Sequence, residues 1–272
     1  MTTLRAASKL RQRDTLVLPA AFPVAATAGT FSAMAKRSPA SEAVRKEWER
    51  RVVAEYRSAS ITHHLVLWLI QIAASPDLIL DGLRIVKDEL AHAEFSHKTL
   101  LAAGGQMSAA IPRETLGLTR DEREPLEHSV ARVCVETFCL GETVAVPLFK
   151  VLREDCDVPV ARRALDRILR DEVRHRDFGW ALLSHLLELG ENASIRKLVE
   201  RELPRMFARL RRSYSPDARV SETVPPEDRS WGLMPGVRYK NVLERTVTRD
   251  YVPRFKARGF DATSAWQAAI SC

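Results

Sequence analysis

The chain has 272 residues, 46% of them hydrophobic and 28% charged, with a net charge of +7. This length allows one large domain or two small ones, with a core that needs no disulfides, and the composition is that of an ordinary soluble globular protein. No apolar run reaches the roughly 18–20 residues that span a bilayer, which excludes a membrane-spanning helix, and the basic balance favours anionic partners while saying nothing about fold.

Residues 1–40 lack a sustained period and carry Pro19, Pro23 and Pro39, so they read as a disordered arm. Leu16 to Ala28 follows Arg5, Lys9, Arg11 and Arg13 and ends in small residues, the outline of a secretory signal. Pro19 and Pro23 interrupt that run, which favours the arm.

A helical pattern begins at Ser41. Trp48, Val52, Glu55, Ala59, Thr62, Val66 and Ile70 fall on one stripe, which predicts a first helix over about 41–73. Ser75-Pro76 stops it and starts a second, with Ser75 as cap and Pro76 in the first turn. The second helix runs to about Leu101, where Gly104-Gly105 ends it. Residues 104–123 show no clear period. A third helix covers about 124–153, with Pro147 expected to kink it or end it early. A fourth follows the turn at Asp155 to Pro159 and ends before Gly190.

The first and third connections are short, so each pair of helices is antiparallel. A second helix of about 27 residues is roughly 40 Å long at 1.5 Å per residue. The twenty or so residues of the middle connection can extend to roughly 65 Å. That connection can run the length of the bundle and make the second and third helices parallel. The expected fold is therefore all-α: a four-helix bundle over 41–190 with one long crossover, the ferritin-like arrangement. Residues 191–272 are expected to form a helical extension packed on it. Its elements are an amphipathic helix over Ile195 to Arg211 that Pro204 bends, a loop over 214–230 and one more helix near 237–249.

The signal that carries chemistry is an internal repeat. Residues 87–95 read Lys-Asp-Glu-Leu-Ala-His-Ala-Glu-Phe, and residues 170–178 read Arg-Asp-Glu-Val-Arg-His-Arg-Asp-Phe. On a helix, Glu89 and His92 share a face, as do Glu172 and His175. Each pair can offer a carboxylate oxygen and an imidazole nitrogen to one ion. Both pairs lie on apolar stripes, and an isolated buried charge is so costly that it is paired, neutralised or metal-bound.

A two-metal site in a bundle needs one more Glu from each remaining helix. In the first helix only Glu55 sits on the apolar stripe. In the third, Glu142 and Glu136 both qualify. Glu142 is favoured by Phe138, Cys139, Ala145 and Val146 around it, and Glu136 has Arg132 as a ready cation. Asp88 stands four residues before His92, and Asp171 four before His175. Each is placed to accept the other N–H of its own helix's imidazole, which fixes the ring of a metal-bound histidine. His63 and His64, two turns beyond Glu55, read as core or surface residues rather than site residues. Trp48, Trp68 and Trp180 read as core. Cys134, Cys139, Cys156 and Cys272 have no C-x-x-C spacing, which predicts reduced thiols and a cytoplasmic protein.

The repeated Asp-Glu-x-x-His resembles the ferritin-like di-iron carboxylate superfamily. Together with Cys139-Leu140-Gly141-Glu142-Thr143 it looks like a group of bacterial ferritin-like domain proteins of uncertain activity, over about residues 45–190. The resemblance implies two iron ions, or manganese or a mixed pair, and an O2-dependent oxidase or oxygenase. It also implies a small-molecule substrate, anionic in keeping with the net charge, and a reductase or ferredoxin as electron donor. Iron storage or peroxide detoxification, a tRNA-modifying hydroxylase, and a non-enzymatic metal-stabilised module are the alternatives, and homodimer assembly is left open.

Overall fold

Two long helices that end in the same kind of turn make up the first half of the chain. In the computed structural model, which describes residues 15–17, 40–190, 192–214 and 223–270, α1 spans Glu42–Gln71 and α2 spans Pro76–Ala102. Ser41 caps α1, its side-chain oxygen accepting from the Val44 N–H at 3.2 Å. Ser75 holds the cap position of α2 but makes no side-chain hydrogen bond there, and Pro76 sets the first turn instead. Past α1, the Ala74 N–H donates to the Leu69 carbonyl and the Ala73 N–H to Ile70. Past α2, Gly105 and Gly104 do the same to Leu100 and Leu101. This closure needs a left-handed residue at its corner. Gly104 supplies it at φ 79°, and Ala73 is forced into it at φ 54°.

The stripe expected on α1 is buried from Trp48 to Val66. It fails at Ile70, which is 56% exposed, and Leu69 takes the core position instead. Each residue turns the helix by about 100°, and the closing spacings of four carry the stripe off the core face.

Residues 103–125 contain β2 (Ala110–Pro112), which pairs antiparallel with β1 (Thr15–Val17), Leu16 opposite Ile111. Ile111 is buried against Val52. The one described piece of the expected arm is thus a paired strand, because the crossover offers it a free edge. The rest of residues 1–39 lies outside the described residues.

The third helical rod is α3 (Leu126–Val133), a nine-residue π-helical stretch (Cys134–Glu142) and α4 (Thr143–Glu154). Pro147 sits inside α4 without ending it. The irregularity lies upstream, in the π stretch. There Cys134 and Cys139, five residues apart, both donate to the Gly179 carbonyl at 3.3 Å. The fourth rod is α5 (Pro159–Glu188).

α1 packs on α2, α2 on α5, α5 on the π stretch and α4, and α3 on α1, which closes a ring of four. Neighbours run antiparallel. Ser58 meets Glu89 while Val66 meets Gly82, and His92 meets Asp171 while Asp88 meets His175. α2 and the third rod are both antiparallel to α5, so they are parallel to each other and residues 103–125 return the chain from one end to the other.

The extension holds α6 (Asn192–Ser213), α7 (Pro226–Arg229), α8 (Gly236–Thr246), a π turn (Val247–Tyr251), α9 (Val252–Lys256) and α10 (Ala262–Ile270). Pro204 falls inside α6. One continuous apolar core runs from Val44 through Phe138 and Trp180 to Phe207, Phe255 and Ala269, so the extension is packed into the same core as the four rods. Tyr251 donates its hydroxyl to the Leu140 carbonyl at 2.5 Å. The π stretch is thereby held from the extension two residues before Glu142. No helix among the described residues is long and apolar enough to cross a membrane.

Candidate metal centre

Six side chains from all four rods converge between them: Glu55 on α1, Glu89 and His92 on α2, Glu142 at the end of the π stretch, and Glu172 and His175 on α5. None is more than 9% exposed. The convergence follows from two local facts. Each Glu-x-x-His places its two side chains on one helix face, and the apolar residues on that face carry them inward.

Donor atoms of Glu55, Glu89 and His92 lie within 4.8 Å of one another, and so do those of Glu89, Glu142 and His175. Glu89 belongs to both groups. His92 Nδ1 is 3.5 Å from Glu89 Oε2 and 3.8 Å from Glu55 Oε2. His175 Nδ1 is 3.5 Å from Glu89 Oε1 and 3.7 Å from Glu172 Oε2. Ser58 donates to Glu89 Oε1 at 2.8 Å and fixes the shared carboxylate. The two imidazole rings are 5.7 Å apart, tilted by 36°.

The aspartates serve the opposite helix from the one expected. His92 Nε2 is 3.2 Å from Asp171 Oδ2, and His175 Nε2 is 3.5 Å from Asp88 Oδ2. With Nδ1 turned to the carboxylates, Nε2 points away from its own backbone and across to the neighbouring helix. An acid one turn back on the same helix cannot reach it. Arg174 donates to Asp88 at 2.6 Å, Arg167 donates to both Asp88 and Asp171, and all of them lie between α2 and α5.

Glu136 is turned away from the cluster. Its side chain is 42% exposed and takes a bidentate pair from Arg209 on α6. Arg132, its expected partner, pairs with Glu124 and Glu202 instead. Six residues separate Glu136 from Glu142, which places them on opposite sides of the rod. His63 is exposed, and His64 accepts from the Leu118 N–H at 3.0 Å and stacks edgewise on Trp68. Glu94 pairs with Lys98 and Asp177 with Arg176. Trp48, Trp68 and Trp180 are core residues, and Cys134, Cys139 and Cys156 are free thiols. Cys272 lies outside the described residues.

The electrostatics are those of a site with too much negative charge for its two imidazoles. Burial pushes the Glu89 carboxyl up to about 7. Burial and the charge of Glu142 push Glu172 well above the carboxylate range. Burial also works against ionised Glu55, and the contact with His92 outweighs it and keeps that carboxyl low. Burial opposes protonation of His92, but Asp171, Glu55 and Glu89 around it raise it well above the ordinary imidazole value. His175 is raised against its burial by Asp88 and Glu89. Protons here take the place that a cation would take.

Buried polar atoms are nearly always hydrogen-bonded. Yet His175 Nε2, 3.5 Å from Asp88, is fully buried with no hydrogen-bond partner, and so are Glu89 Oε2, His92 Nδ1, Glu172 Oε2 and His175 Nδ1. The latter four belong to the cluster, and all four are atoms that ligate metals. The residues present therefore fit a bound metal ion, and the cluster can hold one.

A cavity of about 210 Å³ opens on this cluster. Glu55, Glu89, Glu142 and Glu172 line it together with Arg50, Arg51, Leu148 and Phe149. Tyr214 at the end of α6 and Tyr239 on α8 also line it, so the extension helps to shape the space beside the cluster.

Comparisons with protein-family models, with curated proteins and with solved structures give no match to this chain.

Sequence reasoning misses Ser58, Arg167 and Arg174. Serine on a helix and arginine near an aspartate are too common to stand out. Arg167 does lie four residues before Asp171, a spacing that signals the pair once Asp171 is known to be buried.

Proposed function

We propose that the chain is a ferritin-like, non-haem di-iron oxidase or oxygenase that acts on a small organic molecule with O2. One observation carries the reading: two Glu-x-x-His pairs and one Glu from each remaining rod meet with both imidazole Nδ1 atoms buried, unpartnered and facing carboxylates. The ring order of the rods and the long return of residues 103–125 support the ferritin-like assignment.

Glu55, Glu89 and His92 would hold one ion, and Glu89, Glu142 and His175 the other, with Glu172 beside the second. Four carboxylates and two imidazoles suit iron, and manganese or a mixed pair fits the same donors. When bound, such a pair supplies dioxygen with electrons two at a time. Asp171 holds the His92 ring by a hydrogen bond at Nε2, and the Asp88 carboxylate faces His175 Nε2 at 3.5 Å, so both Nδ1 atoms are aimed inward. In a hydroxylation, one atom of O2 enters a C–H bond and the other leaves as water, with two electrons from a reductase or ferredoxin and two protons from solvent. The cavity beside the glutamates gives a small substrate room next to the cluster, which favours this reading over iron storage.

Metal analysis of protein produced with iron is expected to give about two ions per chain. Glu89→Ala and Glu172→Ala should lose metal while keeping helical circular dichroism. Stoichiometric metal in both variants would overturn the assignment. Dioxygen uptake by the reduced protein is the test of the oxidase step.

A further inference from the structure

We propose that the cavity beside the metal centre binds a small organic monocarboxylate, held by Arg50 and Arg51 with its apolar end toward the glutamate cluster. The proposal rests on the metal-centre reading and adds to it the class of ligand.

The charge comes first. Glu47 accepts from Arg50 at 2.8 and 2.7 Å and from Arg51 at 3.1 Å. One carboxylate thus serves two guanidiniums, and this corner of the cavity keeps a net charge of +1. Two divalent ions, when bound, would balance the four glutamates that line the cavity. The cavity as a whole therefore matches a monoanion, and a phosphate dianion would leave negative charge unmatched.

Hydrogen bonding comes second. Arg51 is only 4% exposed. Its Nε is used by Glu47, its Nη2 donates to the Gly232 carbonyl at 2.9 Å, and its plane stacks 4.4 Å from the Trp48 ring centre. Its Nη1 is buried with no hydrogen-bond partner. An unmatched N–H on a buried cation is costly. Arg51 lines the cavity, so a ligand carboxylate closing on it would give this N–H an acceptor, and the half-exposed Arg50 would provide a second donor.

Shape comes third. Leu148, Phe149 and Leu152 line the same cavity as the arginines and the glutamates. A carboxylate at the arginines leaves its hydrocarbon against these side chains and directs its far end to the metal ligands. The volume of about 210 Å³ gives room for a short chain or a single ring.

The test is calorimetric titration of the full-length, iron-loaded protein with hexanoate, hexan-1-ol and hexylamine. Saturable binding is expected for hexanoate alone. Arg50→Gln and Arg51→Lys should each weaken it at least tenfold, and Leu148→Trp should abolish it, all with unchanged iron content. Arg51→Lys keeps a cation for Glu47 and guards against a folding defect, and Arg50, being half exposed, guards against it a second time. No saturable hexanoate binding, equal binding of the alcohol, or undiminished affinity in both arginine variants would overturn the proposal. Iron content reports separately on the metal reading. If the protein holds no metal, that reading falls and the charge match falls with it, whereas iron-loaded protein without saturable hexanoate binding overturns the proposal alone.

Discussion

His92 reaches across from α2 to Asp171 on α5, Nε2 to Oδ2 at 3.2 Å, and His175 returns the gesture to Asp88 at 3.5 Å. Each imidazole is thus oriented by the helix that carries the other. The two halves of the cluster cannot be assembled independently, because moving α2 relative to α5 disturbs both rings at once.

The crossed pairing makes Asp171 the partner of His92. Asp171→Asn is expected to lower metal affinity by about 10–100-fold, the usual cost of losing a carboxylate behind a metal-bound histidine. A double-mutant cycle on metal affinity decides which pairing holds. Stronger coupling of His92 to Asp171 than to Asp88 is the expected outcome, and stronger coupling to Asp88 would contradict the crossed arrangement.

Glu142 and Glu136 separate in the same assay. Glu142→Gln should reduce bound metal, while Glu136→Gln, which loses only the surface pair with Arg209, should leave the stoichiometry at the wild-type value. Exposed pairs are worth about 0–1 kcal/mol, so the melting temperature of Glu136→Gln should hardly move. Metal loss in Glu136→Gln would reverse the assignment.

The pH dependence changes sign with metal. Glu89 is raised to about 7 in the metal-free fold, and Glu172, His92 and His175 are raised as well. Between the unfolded carboxylate value of 4.5 and neutrality the folded state therefore holds more protons than the unfolded one. Its stability is fullest at the acid end of that window and is lost as pH rises through 7. Urea denaturation of chelator-treated protein should show a lower midpoint at pH 8 than at pH 5.5. Metal competes with the same protons, so metal loading should strengthen with rising pH and release protons on binding. A metal-free midpoint that rises with pH would refute this account.

Gly179 is where α5 touches the π stretch most closely. A Cβ there would lie 2.5 Å from Phe138 Cβ and 2.9 Å from the Phe138 carbonyl carbon. Gly179→Ala must push the rods apart and should cost about 1–3 kcal/mol, the range for overpacking, with weakened metal binding because Glu142 and Glu172 face each other across this contact. Chemical denaturation and metal titration of one variant read both effects.

Ala73 pays for the left-handed corner after α1 that Gly104 provides freely after α2. Ala73→Gly removes a strain of roughly 1–2 kcal/mol, offset by about 0.5–1 kcal/mol of added unfolded-state entropy. A net gain of up to about 1.5 kcal/mol is expected in thermal denaturation, and a loss would show that the corner is not strained.

The sequence by itself determined what repeats along a single helix. The period of α1, the Ser75-Pro76 and Gly104-Gly105 stops, the all-helical class and the inward-facing Glu89, His92, Glu172 and His175 were all legible, because each depends on residues within a few turns of one another. Glu55 was legible for the same reason, as the acid on the apolar stripe. Ile70 was misread where that stripe drifts off the core. The tertiary structure alone decided which groups meet across helices: Asp171 behind His92, Glu142 rather than Glu136 in the cluster, Glu89 common to both donor groups, and Arg51 at the wall of the cavity. Those pairings depend on how far one rod slides and turns against the next. That register is set by contacts such as Gly82 on Val66 and Gly179 on Phe138, between residues whose sequence positions carry no mark of each other.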